Sequence, residues 1–250
     1  MTRVIFCLVN LLLVSQFLFA QEALESRDNT VKLDLTSQIL FNKSLAVSYE
    51  RYIKSRQTAG ITVGYHTFPS LRSIGNGVEV KDEKSSSGYV VGAEYRFYLG
   101  KENRYAAPRG VYIGPYFAYH NFKNNRDIAL TNEDGTVSEA LLKTKVGVLN
   151  IGVELGYQFI INQRWSIDLV FIGPSISKYK IDMDLNGNID PAKLPEKQQE
   201  ILQTLADRFP FVKDLLEDQN VSATGRADTW SFGYRYQLQV GYHFGRKKTR

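Results

Sequence analysis

The chain has 250 residues, 31 basic and 26 acidic side chains, a formal net charge of +5 and 12% aromatic residues. That is enough material for one sizeable domain, while the charge is too balanced, and the tyrosines too regularly spaced, for a nucleic-acid binder. Its single cysteine, Cys7, lies in an N-terminal apolar stretch whose removal would leave a chain without disulfides or thiol chemistry.

Residues 1–20 read as an export signal: Arg3 is the only charge, Val4 to Ala20 is predominantly apolar, and Gln21 opens a polar stretch. Leu18 departs from the usual small-residue cleavage pattern. Residues 21–30 are then expected as a periplasmic N-terminal segment. No later stretch reaches about eighteen consecutive apolar residues, so no transmembrane helix is expected.

From residue 31 to 244 the hydropathy alternates with period two, and side chains on a strand alternate faces. The first segment, Val31–Phe41, sets Val31, Leu33, Leu35, Ile39 and Phe41 against Lys32, Asp34, Thr36 and Gln38. Further segments follow at 45–54, 58–68, 88–99, 111–122, 145–161, 165–178 and 229–244. The last is the clearest. Trp230, Phe232, Tyr234, Tyr236, Leu238, Val240, Tyr242 and Phe244 form one face, and Ser231, Gly233, Arg235, Gln237, Gln239, Gly241 and His243 the other. A strand of this length with aromatic ends suits a lipid bilayer, which about ten tilted residues cross between two aromatic girdles.

Eight such segments predict an all-β fold, an eight-stranded antiparallel up-and-down transmembrane β-barrel over 31–244. With both termini in the periplasm, the short connections 55–57 and 162–164 face inward. The long ones, 69–87, 123–144 and 179–228, face outward. Connection 42–44 is short and 100–110 of medium length, which weakens the asymmetry.

The polar face carries charges. Ser48-x-Glu50, Gly92-x-Glu94 and Gly152-x-Glu154 recur on strands running the same way, and Arg96, Asp168 and Arg235 share the inward parity. An eight-strand barrel is just wide enough for side chains to fill it. Glu50, Glu94, Arg96, Glu154, Asp168 and Arg235 therefore predict a buried ion-pair network, to which Lys32 is a further candidate. A conducting or catalytic carboxylate cluster is the sharper and less economical alternative.

The architecture resembles that of small eight-stranded outer-membrane barrels of the OmpA/OmpX type. The stretch Val31-Lys-Leu-Asp-Leu35 through Leu45-Ala-Val-Ser-Tyr-Glu-Arg-Tyr52 resembles a family of Gram-negative outer-membrane barrel proteins. The resemblance implies a fold and an outer-membrane location, with lipid as the surrounding partner, and carries no activity. Such barrels often end on an aromatic residue. Here Phe244 is followed by a basic tail, 245–250.

The connection 179–228 is the richest in motifs. Asp182, Asp184, Asn186, Asn188 and Asp190, with Gly187 at the sixth position, match the opening of an EF-hand calcium loop. Lys193 then stands where a bidentate Glu belongs. The same residues also read as a turn capping the next helix. Beyond Pro195, Ile201, Leu202, Leu205 and Phe209 recur at helical spacing, and Val212, Leu215 and Leu216 follow Pro210. This apolar face could cap the barrel mouth, lie on lipid, or dock another outer-membrane or surface protein.

Three function classes follow. The first is a non-enzymatic barrel, a structural or accessory subunit without a cofactor unless calcium binds. The second is a barrel enzyme acting on envelope lipid. It would have to recruit His66 or His120 with Ser87 or Thr67 and Glu94, at spacings that give it no support. The third, a soluble lipocalin-like periplasmic binder, would need the apolar stripe inside.

Overall fold

In a computed structural model of the chain, the backbone is described at residues 26–41, 43–54, 56–67, 73–75, 78–103, 105, 107–131, 137–187 and 226–248. The export signal predicted over 1–20 lies outside these residues. Eleven strands and one short helix are described, in the order β1 (Ser26–Asp34), α1 (Leu35–Leu40), β2 (Ser44–Lys54), β3 (Gln57–His66), β4 (Ser73–Gly75), β5 (Val78–Tyr98), β6 (Gly110–Thr131), β7 (Val137–Ile161), β8 (Trp165–Ile172), β9 (Pro174–Gly187), β10 (Arg226–Tyr234) and β11 (Gln237–Lys248).

The pairing is antiparallel throughout and closes on itself. β1 pairs β2, β2 pairs β3, β3 pairs β5, β5 pairs β6, and β6 pairs β7. β8 and β9 both pair β7. β8 pairs β11 and β9 pairs β10, while β11 returns to β1 with Leu33 opposite Val240. β8–β9 and β10–β11 are thus two broken strands, and the ring has eight members. β4 is a short flap paired to β5 outside the ring.

The two breaks face each other. Arg235 donates its backbone N–H to the carbonyl of Gly173 at 2.7 Å. A Cβ on Gly173 would lie 2.8 Å from the Arg235 carbonyl oxygen, so only glycine permits this approach. One extra residue here shifts the buried set from even numbers (Ser166, Asp168, Val170) to odd (Ser175, Ser177, Ile181), as a β-bulge does.

Several boundaries differ from the sequence expectation. The first strand starts at Ser26, inside the stretch expected to precede the fold, and stops at Asp34. Leu35–Leu40 then turns into α1, because Asp34 caps it: its carboxylate accepts from the Ser37 N–H at 3.2 Å and from the Ser37 hydroxyl at 2.7 Å. At the other end β11 continues into the basic tail as far as Lys248, with Arg27 opposite Lys247.

Much of what read as long loops is strand. β5 begins at Val78, β6 runs to Thr131, β7 begins at Val137 and β9 ends at Gly187. These projecting ladders are polar outside, as in the Lys84–Asp127 ion pair at 2.8 Å and the Asn125–Ser85 bond at 3.0 Å. Backbone pairing continues there with the apolar side chains turned inward, among them Ile128, Leu142, Ile181 and Met183.

The wall is therefore uneven. β6 and β7 have 22 and 25 residues, while β1, β2 and β3 have 9, 11 and 10. Among the described pairings, residues 226–234 have a partner only in β9, and α1 occupies the place where β1 would have continued beside them.

Candidate functional site: the interior of the ring

Alternation sends apolar side chains outward and polar ones inward. Ile61, Val63, Ile151, Val153, Ile176 and Phe232 are exposed, whereas Lys32, Glu50, Arg96, Glu154 and Asp168 are buried. The interior has three levels.

The lowest is a plug. Tyr98, Tyr112 and Ala107 pack together, with Tyr52 against them. Asn103 holds the 99–110 turn by donating to the Val111 carbonyl at 2.8 Å and accepting from its N–H at 2.7 Å.

Above the plug lies a charge lattice drawn from six ring strands. Lys32 Nζ on β1 meets Glu50 on β2 at 2.6 Å and Asp168 on β8 at 2.5 Å. Arg96 on β5 reaches Asp168 at 2.5 Å, Glu94 at 2.7 Å and Glu154 on β7 at 3.2 Å. Arg235, in the break before β11, reaches Glu94 and Glu154, each at 3.2 Å. Neutral groups complete the shell. Tyr112 donates its hydroxyl to Asp168 at 2.6 Å, Tyr98 to Glu50 at 3.1 Å, and Lys32 donates to Gln158 at 2.9 Å. Arg96 also lies over the Tyr112 ring at 4.2 Å. Charges without water need this density of partners.

All six residues expected in the interior network lie in this lattice. Lys32 joins it through Glu50 and Asp168, and Tyr98, Tyr112 and Gln158 are its unforeseen members. They have the right inward parity, but uncharged side chains give no charge signal in sequence.

The upper level is a cavity of about 460 Å³. Its floor is Glu94, Tyr116 and Arg235, and its walls include Val90, Phe122, Val146, Val148 and Ile181. Small residues, among them Gly92 and Ala118, make the room. Its lining also reaches Leu40 on α1 and Tyr234 and Tyr236 beside the β10–β11 break, which are 64%, 45% and 67% exposed. The cavity therefore runs from the axis to the outer wall. Sequence reading missed it. The signal was there in Val90-Val91 and Phe117-Ala118, where both faces of a strand turn apolar at once.

The histidines lie along these levels. His66 and His120 stack at 5.3 Å, and His66 stacks on Phe122 at 4.3 Å, so their neighbours are aromatic rings. His243 bonds Thr30 at 2.7 Å.

The first three calcium candidates are ladder residues. Asp182, Asp184 and Asn186 pair with Lys145, Lys143 and Leu141 on β7. A strand rises about 3.3 Å per residue, so alternate side chains are spread along one face and do not converge as a calcium loop requires. Among the described residues no cluster of three or more His, Cys, Asp or Glu side chains suits a metal ion. Asn188 and Asp190 lie outside the described residues. So do Ile201, Leu202, Leu205, Phe209, Val212, Leu215 and Leu216 of the apolar helical face.

Among solved structures, a major outer membrane protein from Thermus thermophilus is similar at 10% identity and a TM-score of 0.38, over 86% of this chain and 99% of that one. No curated protein matches. Residues 6–181 match the family described as "Protein of unknown function (DUF3575)", and the chain belongs to that family.

Proposed function

We propose that this chain is a non-enzymatic β-barrel of a Gram-negative outer membrane, of OmpA/OmpX-like architecture, serving as a structural or accessory subunit. The observation that carries the reading is the inverted polarity of the closed ring: a charge-locked interior inside an apolar exterior. Bilayer interiors tolerate sheets only when no edge is open, and they favour apolar side chains facing out.

The exterior also supports a span. At one end Trp165 packs edge-on to Tyr242 at 5.3 Å, and Tyr157 lies 4.3 Å from Phe159. Toward the other end are Tyr89 beside Tyr119 at 6.2 Å, and Trp230 under Lys178 at 5.6 Å. Beyond them the outer face turns to Lys123, Lys143 and Lys145. Two aromatic girdles around an apolar band are what a barrel places at the two interfaces. The lipocalin-like alternative would bury that band.

The protein should fractionate with the outer membrane and migrate faster on a denaturing gel unheated than boiled. Recovery as a soluble periplasmic species, with no heat-dependent shift, would sink the reading. The partner role belongs to the 179–228 connection in this proposal. Leu205→Glu and Leu215→Glu should release a co-purifying protein while the heat shift persists. If those residues cap the barrel instead, the same changes lower its stability and release nothing.

A further inference from the structure

We infer that the upper cavity takes up one linear acyl chain from the surrounding leaflet, entering sideways past α1. This rests on the membrane reading above and adds a ligand to it.

Three independent features lead there. The first is chemistry: Val90, Phe122, Val146, Val148 and Ile181 line a space of about 460 Å³, within the usual 300–1,000 Å³ of ligand pockets. Polar side chains such as Asn124, Thr144 and Asn150 also reach the lining, but most of the cavity surface is apolar, and a polar solute would leave part of its hydrogen bonds unmade there. The charged floor asks for no counter-ion from a ligand, because Arg235 is already held by Glu94 and Glu154.

The second is access. Among the described residues the wall is lowest where β1 ends at Asp34, and α1 packs there against β2 and β11. α1 is tied to the ring there by Leu238 N–H donating to Thr36 Oγ1 at 2.7 Å. Leu40 faces both the cavity and the exterior.

The third is continuity. The residues around this gap are apolar on their outward side: Ile39 is 77% exposed, Phe232 72% and Tyr236 67%. The gap therefore opens within the apolar band, between the girdles, and the medium there is hydrocarbon rather than water. A chain passing inward never leaves an apolar environment.

Bromine-labelled chains read this directly, because bromine quenches tryptophan at short range. The native tryptophans, Trp165 and Trp230, both point outward. An inward reporter is Phe122→Trp in a chain carrying Trp165→Phe and Trp230→Phe. Both full chains would be reconstituted in phosphatidylcholine vesicles with brominated acyl chains. Quenching of the inward reporter to the same degree as the native pair supports the inference. Quenching of the native pair with none of the inward reporter overturns it. No quenching of either shows that the membrane reading itself has failed.

Signal crossing the wall is separated by adding Ala118→Leu, which fills the cavity. It should cut inward quenching and leave a Trp165 and Trp230 chain unaffected. Unchanged inward quenching overturns the inference. Each variant is accepted only if it keeps the heat shift, and Val148→Phe replaces Ala118→Leu if that one does not fold. Dibromostearic acid added at low mole fraction to unlabelled vesicles identifies the source. Quenching by it assigns a free fatty acid, and quenching by labelled phospholipid alone assigns a lipid chain.

Discussion

Glu94 bridges the two arginines of the lattice, Arg96 at 2.7 Å and Arg235 at 3.2 Å. Glu94→Ala removes that bridge and leaves buried guanidinium donors short of a partner. Urea unfolding in lipid should show a loss of about 3–5 kcal/mol, the range for breaking one side of a buried pair. Its sequence neighbour points the other way. Tyr95 lies tilted against Phe97 at 5.1 Å and donates to Gln57 at 2.7 Å, on the outer face. Tyr95→Ala should cost clearly less in the same assay, and equal losses would contradict the inside–outside assignment. Glu50, Glu94, Arg96, Glu154, Asp168 and Arg235 could be placed inside from parity alone, because a charge on the polar stripe of a narrow ring has nowhere else to go. Which charge meets which depends on register across non-adjacent strands, and a sequence holds no record of that.

Among the elements, α1 is the one that hydropathy misread. Leu35, Ile39 and Phe41 fit a strand stripe, but Asp34 supplies a capping carboxylate three residues before Ser37, and local capping prevailed over alternation. Asp34 also accepts from Gln237 at 2.9 Å, so it ties the helix to β11. Asp34→Ala should destabilise the ring by roughly 1 kcal/mol, as lost caps do, and speed hydrogen exchange locally at residues 35–41. Exchange that rises uniformly around the ring would refute a local role. The strands themselves were legible wherever one face was greasy. Their extensions at 78–87, 123–131, 137–144 and 179–187 were not, because there the outward face turns polar, as at Lys123, Lys143 and Asp184, while Ile128, Leu142, Ile181 and Met183 turn inward, so no greasy outer stripe marks them. The pairing of β9 with β7 through Gly187 and with β10 from Arg226 needs nothing beyond those residues. Replacing 188–225 by a glycine–serine linker should therefore keep the heat shift, since surface connections tolerate length changes at small entropic cost. The same deletion should abolish any partner capture.

For the whole molecule, plug and lattice together fill the lower lumen. Tyr112, Arg96, Lys32 and Gln158 are each fully buried across the section of the ring. Planar bilayers containing the purified protein should show no steady conductance, and reproducible large channels would contradict a filled lumen. Closure into eight members was legible from counting alternating segments and from the polar stripe they share. The cavity and the low place in the wall were not, since both arise from strands of unequal height. Strand height is set by where pairing stops, and composition does not encode it.

The pairing of β1 with β11 joins residues more than two hundred positions apart, Ser26 opposite Lys248. The seam can form only after the rest of the chain has been laid down, and folding dominated by such distant contacts is slow. Until the seam forms, Lys32 lacks Asp168, and in a membrane hydrocarbon would meet bare ionic groups. The lattice thus acts as a latch on a timetable. On the membrane reading proposed above, a sheet one strand short has no foothold in the bilayer, and insertion and closure should come as a single event.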